Sequence, residues 1–141
     1  METTSIINPD RPAIRLEGVR MVRSGNVVLD EFDLEVPAGR VTAIMGPSGS
    51  GKTTVLKLIT GQLRPDEGRV FVGDIDICGL NRNELNRVRR HIGVLLQNGA
   101  LLTDMTCFDN VALPLREHTE LPEELVEKLV LLKLQAVGLR G

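Results

Sequence analysis

Alternation of apolar and polar residues marks two segments early in the chain. In "AIRLEGVRMV", Ile14, Leu16 and Val19 are set against Arg15, Glu17 and Arg20, the two-residue period of a half-buried strand, and the phase slips near Gly18. "FDLEV" alternates without a slip: Phe32, Leu34 and Val36 face one way, Asp33 and Glu35 the other. Gly25-Asn26 reads as the turn between these segments, and Pro37-Ala38-Gly39 as a second turn. Two runs, "VTAIM" (41–45) and "IGVLL" (92–96), are largely apolar and read as short strands of the buried type. "RVFV" adds one more strand after the turn "RPDEG". Helical stretches are expected from about Lys52 to Thr60, stopped by Gly61; in "NRNELNRVRRH"; near 106–113; and from about Pro122 to Gly138. In the last of these, Glu123, Glu124 and Glu127 precede Lys128 and Lys133, the order the helix dipole favours. Strands interleaved with helices predict an α/β core with an antiparallel N-terminal piece. Residues 1–12, polar and closed by Pro9 and Pro12, read as a flexible arm ahead of one domain over 13–141.

Composition narrows the classes. The 141 residues fit a single domain, and 42% apolar content is enough for a packed core. A net charge of −2 argues against electrostatically driven nucleic-acid binding. No stretch approaches the ~20 apolar residues of a membrane span, and Met1 to Pro12 has no apolar signal core, so export is not expected. Cys78 and Cys107 are far apart and read as ordinary thiols of a reducing compartment. The chain has no Trp or Tyr.

One motif carries chemistry. "GPSGSGKT", Gly46 to Thr53, fits G-x-x-x-x-G-K-[ST] at every fixed position. Gly46, Pro47, Ser48, Gly49, Ser50 and Gly51 let the backbone wrap a phosphate chain with its amides turned inward. The helix that follows, opening with Lys52, Thr53 and Thr54, adds the positive end of its dipole. Lys52 is placed to reach the β- and γ-phosphates, and the Thr53 hydroxyl to ligate Mg²⁺. The motif follows an apolar run and opens a helix, so the class expected is a P-loop NTPase binding a nucleotide with Mg²⁺.

Asp30 and Glu31, at the end of "NVVLDE", imitate the acid pair that such enzymes use for magnesium and water. Alternation continues past them through Phe32, Leu34 and Val36, so they lie inside a strand, whereas ligands of parallel sheets gather at strand carboxyl ends. The short Pro-Ala-Gly connection also suits an antiparallel neighbour in "VTAIM" better than a parallel one. The acids are therefore expected to be structural.

"GPSGSGKTT", "GQLRPDEGRVFV" and "IGVLLQ" together resemble the ATP-binding subunit of ABC transporters, from about Ala13 onward. "TAIMGPSG", "FDNVALPLREHTELP" and "KLQAVGLRG" are similar to the ATPases of Mla-type phospholipid transporters of bacterial envelopes, the "PLREHT" run being the narrower mark. The resemblance implies an ABC-type nucleotide-binding domain with an antiparallel β subdomain and the start of a helical subdomain. It implies ATP and Mg²⁺ as ligands, with Gln97 as the Q-loop glutamine that reaches Mg²⁺ and the attacking water. It also implies a membrane-spanning permease subunit and a second ATPase subunit as partners, no nucleic acid, and a peripheral position on the cytoplasmic face of the inner membrane. An aromatic residue that usually stacks on adenine is lacking; Arg23, whose guanidinium plane can stack on a base, is the candidate in its place.

After Gln97 there is no apolar strand ending in Asp-Glu, no "LSGGQ"-like signature and no later switch histidine. The resemblance therefore implies an incomplete domain, somewhat over half of such an ATPase. By itself this chain is expected to bind ATP, to hydrolyse it poorly, and to leave "VTAIM" and "IGVLL" with exposed apolar surface. The apolar cluster Leu101, Leu102, Met105, Phe108, Val111 and Leu113 reads either as a small helical core or as a groove for a permease helix. The basic run Arg82, Arg87, Arg89, Arg90 and His91 reads as a solvated face with Glu84 as partner, contact with anionic lipid headgroups being the alternative. Alternatives to the transporter subunit are a non-enzymatic nucleotide-binding module, an ABC ATPase for another substrate, or a GTPase, which would want an N-K-x-D guanine reader that this chain lacks.

Overall fold

A computed structural model describes residues 6–96 and 99–139. The chain divides into two compact units, the first ending at Gly93 and the second beginning at Val94.

The first unit is built on a four-stranded antiparallel sheet. Strand β1 (Pro12–Arg23) turns at Ser24-Gly25 into β2 (Asn26–Pro37), and β3 (Glu67–Val72) lies on the other side of β1 with the short β4 (Ile75–Asp76) at its edge. The tight turn falls one residue earlier than its sequence suggests. Ser24 and Gly25 both have positive φ, 50° and 80°, the two-residue hairpin geometry that matches strand twist.

Bulges put the apolar residues on one face. Leu16 and Val19 are three apart and would point to opposite sides of a regular strand. Between the ladder pairs Leu16–Leu34 and Val19–Phe32, β1 has two residues and β2 one, and Gly18 takes φ 54°. The extra residue brings Leu16, Val19 and Met21 into one buried row. The same device acts on β2. Between Val19–Phe32 and Met21–Leu29, Asp30 and Glu31 together face the single Arg20, and Glu31 adopts φ 43°. Leu29 and Phe32 thereby both reach the core. Gly68 marks where β1 and β3 come closest: a Cβ there would lie 2.4 Å from the Gly18 carbonyl oxygen.

Helices α1 (Lys52–Ile59) and α2 (Arg82–Arg89) complete this unit. Helix α1 buries Val55 and Leu58, and α2 buries Leu85 and Val88, against Leu16, Val19, Val70, Val72 and Ile77 of one core. The start of α2 is a capping box: the Asn81 side chain accepts from the amides of Asn83 and Glu84, and the Glu84 carboxylate accepts from the Asn81 amide. Glu84 is thus spent on its own helix and is not the ion-pair partner of the basic run. Ile6 packs against the core and Arg11 pairs with Asp74 at 2.7 Å, so residues just ahead of β1 touch the sheet.

"VTAIM" and "IGVLL" do not form strands. A strand is made by its neighbours, and among the described residues neither run has a ladder partner; β2, which the Pro-Ala-Gly turn was expected to pair with "VTAIM", pairs with β1. Ile44 and Ile92 lean on the core, whereas Val41, Met45 and Leu95 are 101%, 88% and 94% exposed.

The second unit is a helical hairpin of α3 (Cys107–His118) and α4 (Glu123–Ala136), closed over Ala112, Val126 and Val130. Phe108 and Val111 join that core, while Leu101, Leu102 and Met105 are exposed, so only part of the apolar cluster belongs to the helical core. Helix α3 runs to His118, about five residues past the expected end near 113, carrying Pro114 inside it. Thr106 caps it, and the Asn110 side chain holds the incoming loop through the Leu102 amide and the carbonyls of Leu102 and Thr106. Arg116 reaches back to Asp109 and across to Glu123. These bonds hold both carboxyls below their ordinary values: for Asp109 the Thr106 hydroxyl acts first and Arg116 next, and for Glu123 Arg116 acts first.

Candidate functional site

The phosphate loop lies wholly in the first unit. Gly49 and Gly51 take φ 84° and 88°, left-handed conformations that a side chain would strain. At Gly46 a Cβ would meet Ser50 Oγ at 2.7 Å, so the Ser50 side chain would have to turn aside to admit it. Gly51 is packed from below: a Cβ would lie 3.2 Å from Leu29 Cδ2 and 3.3 Å from Val28 Cγ1. The sheet therefore sets where the loop ends and α1 begins.

Helix α1 opens with no side-chain cap and no acid in its first turn. Its first intrahelical bond is Val55 N–H to Gly51 O, 2.9 Å. The amides of Lys52, Thr53 and Thr54 lie ahead of that bond and have no helical acceptor, the arrangement that receives an anion. The Lys52 ammonium donates to the carbonyls of Gly46 and Pro47 at 2.7 and 2.6 Å and lies 3.4 Å from Ser50 Oγ. Loop carbonyls thus occupy the donors that phosphate oxygens would take. Beside them, Thr42, Ile44, Lys52, Thr53 and Leu56 line an open depression of about 390 Å³. Positive charge, unbonded amides and glycines at the closest approaches fit a chain of phosphates. For magnesium the described oxygen is the exposed Thr53 hydroxyl.

Of the other expected site residues, Gln97 lies outside the described residues. Arg23 ends β1 opposite Asn26, exposed, and its guanidinium makes no bond to a described residue. Asp30 lies 3.7 Å from Arg20 Nε, and with Glu31 it forms the β2 bulge. The acid pair is a sheet feature. No three His, Cys, Asp or Glu side chains among the described residues are grouped to hold a metal, and no helix among them is long and apolar enough to cross a membrane.

Arg89 has a role its sequence did not suggest. Instead of facing solvent, its guanidinium donates through Nε to Thr60 O at 2.9 Å and through Nη2 to Gly61 O at 3.0 Å. The partners are 28 and 29 residues away, beyond any local pattern.

Residues 29–139 match the ABC transporter family. Over 128 residues the chain is 53% identical to the intermembrane phospholipid transport system ATP-binding protein MlaF of Haemophilus influenzae and 49% identical to that of Escherichia coli. Each alignment covers 91% of this chain and 48% of the relative, so the chain spans about half the length of the curated relatives it matches. Among solved structures, an ATP-binding cassette described as a dimer in a post-hydrolysis state bound to ADP and Pi superposes with a TM-score of 0.78. It is 32% identical, over 86% of this chain and 56% of that one.

Proposed function

The chain belongs to the ABC transporter family, and from that premise we propose that it is the ATP-binding, energy-coupling subunit of a transporter that moves phospholipid within a bacterial envelope. The observation that carries the nucleotide reading is the loop from Gly46 to Thr53, with Lys52 held over its carbonyls and the first amides of α1 unbonded. The phospholipid assignment draws on the identity to the two MlaF proteins, whose names specify that transport.

In this reading the Lys52 ammonium exchanges the Gly46 and Pro47 carbonyls for the β- and γ-phosphates of ATP. The exchange is downhill, because a bond between two ions is stronger than one to a neutral carbonyl. The loop amides and the α1 terminus hold the remaining phosphate oxygens. Thr53 would hold Mg²⁺, which would neutralise charge on the phosphates, and Gln97, by its resemblance to the Q-loop glutamine, would serve the same ion and the attacking water. Arg23 is assigned to the adenine ring. Partners in this reading are a membrane-spanning permease and a second ATPase subunit, with the protein peripheral at the cytoplasmic face of the inner membrane.

The test is equilibrium binding of Mg-ATP to the full-length protein, with GTP as competitor, followed by ATP turnover in the assembled transporter. Binding of ATP ahead of GTP, with turnover lost in Lys52→Ala, is the expected result. Equal binding by Lys52→Ala would overturn the site; preference for GTP would overturn the family's chemistry for this chain.

A further inference from the structure

Resting on the nucleotide-binding reading above, we propose that Arg89 is a positioning residue for the phosphate site, acting from the opposite end of helix α1. Helix α1 has eight residues, about 12 Å of rise, and a helix so short has no stability of its own. Its placement must come from what touches it. Val55 and Leu58 fix which side faces the core, but apolar contacts are non-directional and resist sliding along the axis weakly. At the N-terminal end the sheet packs under Gly51 and Lys52 bonds its own loop, but the first backbone amides are unbonded before nucleotide arrives, so no backbone bond there fixes the helix along its axis.

The C-terminal end is held. The Arg89 fork takes the Thr60 and Gly61 carbonyls, at 2.9 and 3.0 Å, in a partly buried setting. Gly61 allows the approach: a Cβ there would meet Leu85 Cδ1 at 2.7 Å, so α2 presses directly on this terminus. The Thr60 hydroxyl takes the Leu56 carbonyl at 3.0 Å. The fork also puts a cation at the negative end of the helix dipole. Helix α2 is itself seated in the core through Leu85 and Val88, its start is closed by the Asn81–Glu84 capping box, and Arg64 Nη2 donates to Leu80 O just ahead of it at 2.7 Å. The clamp therefore runs from a fixed helix to the far end of the one that receives phosphate. A displacement of α1 at Thr60 is passed along its length to the amides of Lys52, Thr53 and Thr54.

Arg89→Lys in the full-length protein is the working variant. It keeps the charge and the aliphatic stem but offers a point donor in place of a fork, and it avoids the unpaired, half-buried carbonyls that Arg89→Ala leaves. Mg-ATP affinity and hydrogen exchange of the amides of α1 and β1 are measured together, with Lys52→Ala beside it. We expect the dissociation constant for Mg-ATP to rise about tenfold, the scale of one charged contact at a helix end in a partly buried site. The α1 amides should exchange faster in Arg89→Lys while β1 amides keep the wild-type rate. Unchanged affinity overturns the proposal, and so does equal acceleration of α1 and β1, which is general loosening. If wild type itself fails to bind Mg-ATP, or Lys52→Ala binds as wild type does, the nucleotide reading falls and the proposal with it. If those two controls behave as expected, a failure belongs to Arg89 alone.

Discussion

The ammonium of Lys52 lies 2.7 Å from the carbonyl oxygen of Gly46, so the cation that would meet a nucleotide is held by the backbone of its own loop. This pairing keeps a half-exposed positive charge aimed along the loop, at a distance where exchange for phosphate needs only side-chain rotation. Removing the cation should therefore cost binding far more than stability. Lys52→Ala is expected to weaken Mg-ATP binding by about ten- to a hundredfold, the range of hydrogen bonds to charged groups. Its melting temperature should stay close to wild type; titration calorimetry and a thermal melt check both.

Asp30 and Glu31 form a bulge facing Arg20, and neither belongs to the phosphate loop. The pair Asp30→Asn and Glu31→Gln is expected to leave ATP turnover of the assembled transporter within about twofold of wild type, since charges that contact no reacting group contribute little to a barrier. A loss beyond tenfold would return these acids to the catalytic machinery. Glu31 also holds a left-handed φ of 43°. Glu31→Gly should relieve that strain, offset in part by the entropy of glycine, and raise the unfolding free energy by up to about 1 kcal/mol in urea titrations.

Gly18 and Gly68 separate strain from space. Both have positive φ, but a Cβ at Gly18 meets nothing within 4 Å, whereas one at Gly68 lies 2.4 Å from backbone. Gly18→Ala should cost about 1 kcal/mol, the conformational term alone. Gly68→Ala should cost about 3 kcal/mol, because β1 and β3 must part to admit the methyl group. Denaturant midpoints at equal slope would measure the difference.

The helical hairpin carries its own pH dependence. Asp109 and Glu123 are held below their ordinary values of 3.8 and 4.5 by Thr106 and Arg116. A carboxyl depressed in the folded state stabilises the fold above its unfolded value, and that contribution is lost as pH falls through the folded value. The helix signal of the hairpin should therefore weaken from about pH 4.5 downward and be steady from pH 5 to 7. Arg116→Met should flatten this acid limb; an acid limb of unchanged depth in that variant would mean that the loss comes from other carboxyls. Both groups are exposed, so moderate salt should shrink the effect.

Much of this protein is legible along the chain because the signals are local. The phosphate loop needs glycines, a lysine and a threonine at fixed spacing, and the helix beginning at Lys52 follows them directly. The alternation of β1 and β2, the slip at Gly18 and the stop at Gly61 are likewise properties of a few adjacent residues. The tertiary structure decided what depends on partners distant in sequence. "VTAIM" and "IGVLL" have the composition of buried strands, yet a strand exists only where another chain segment takes its amides and carbonyls, and none among the described residues does. Asp30 and Glu31 became a bulge because β1 lies opposite them and must be matched two residues to one. Arg89 looks like one more cation on a charged helix, and only the packing of α2 on Gly61 turns it toward the end of α1. Sequence spacing determines conformation over a turn or a strand; which side chain meets which across thirty residues is set by how the core closes.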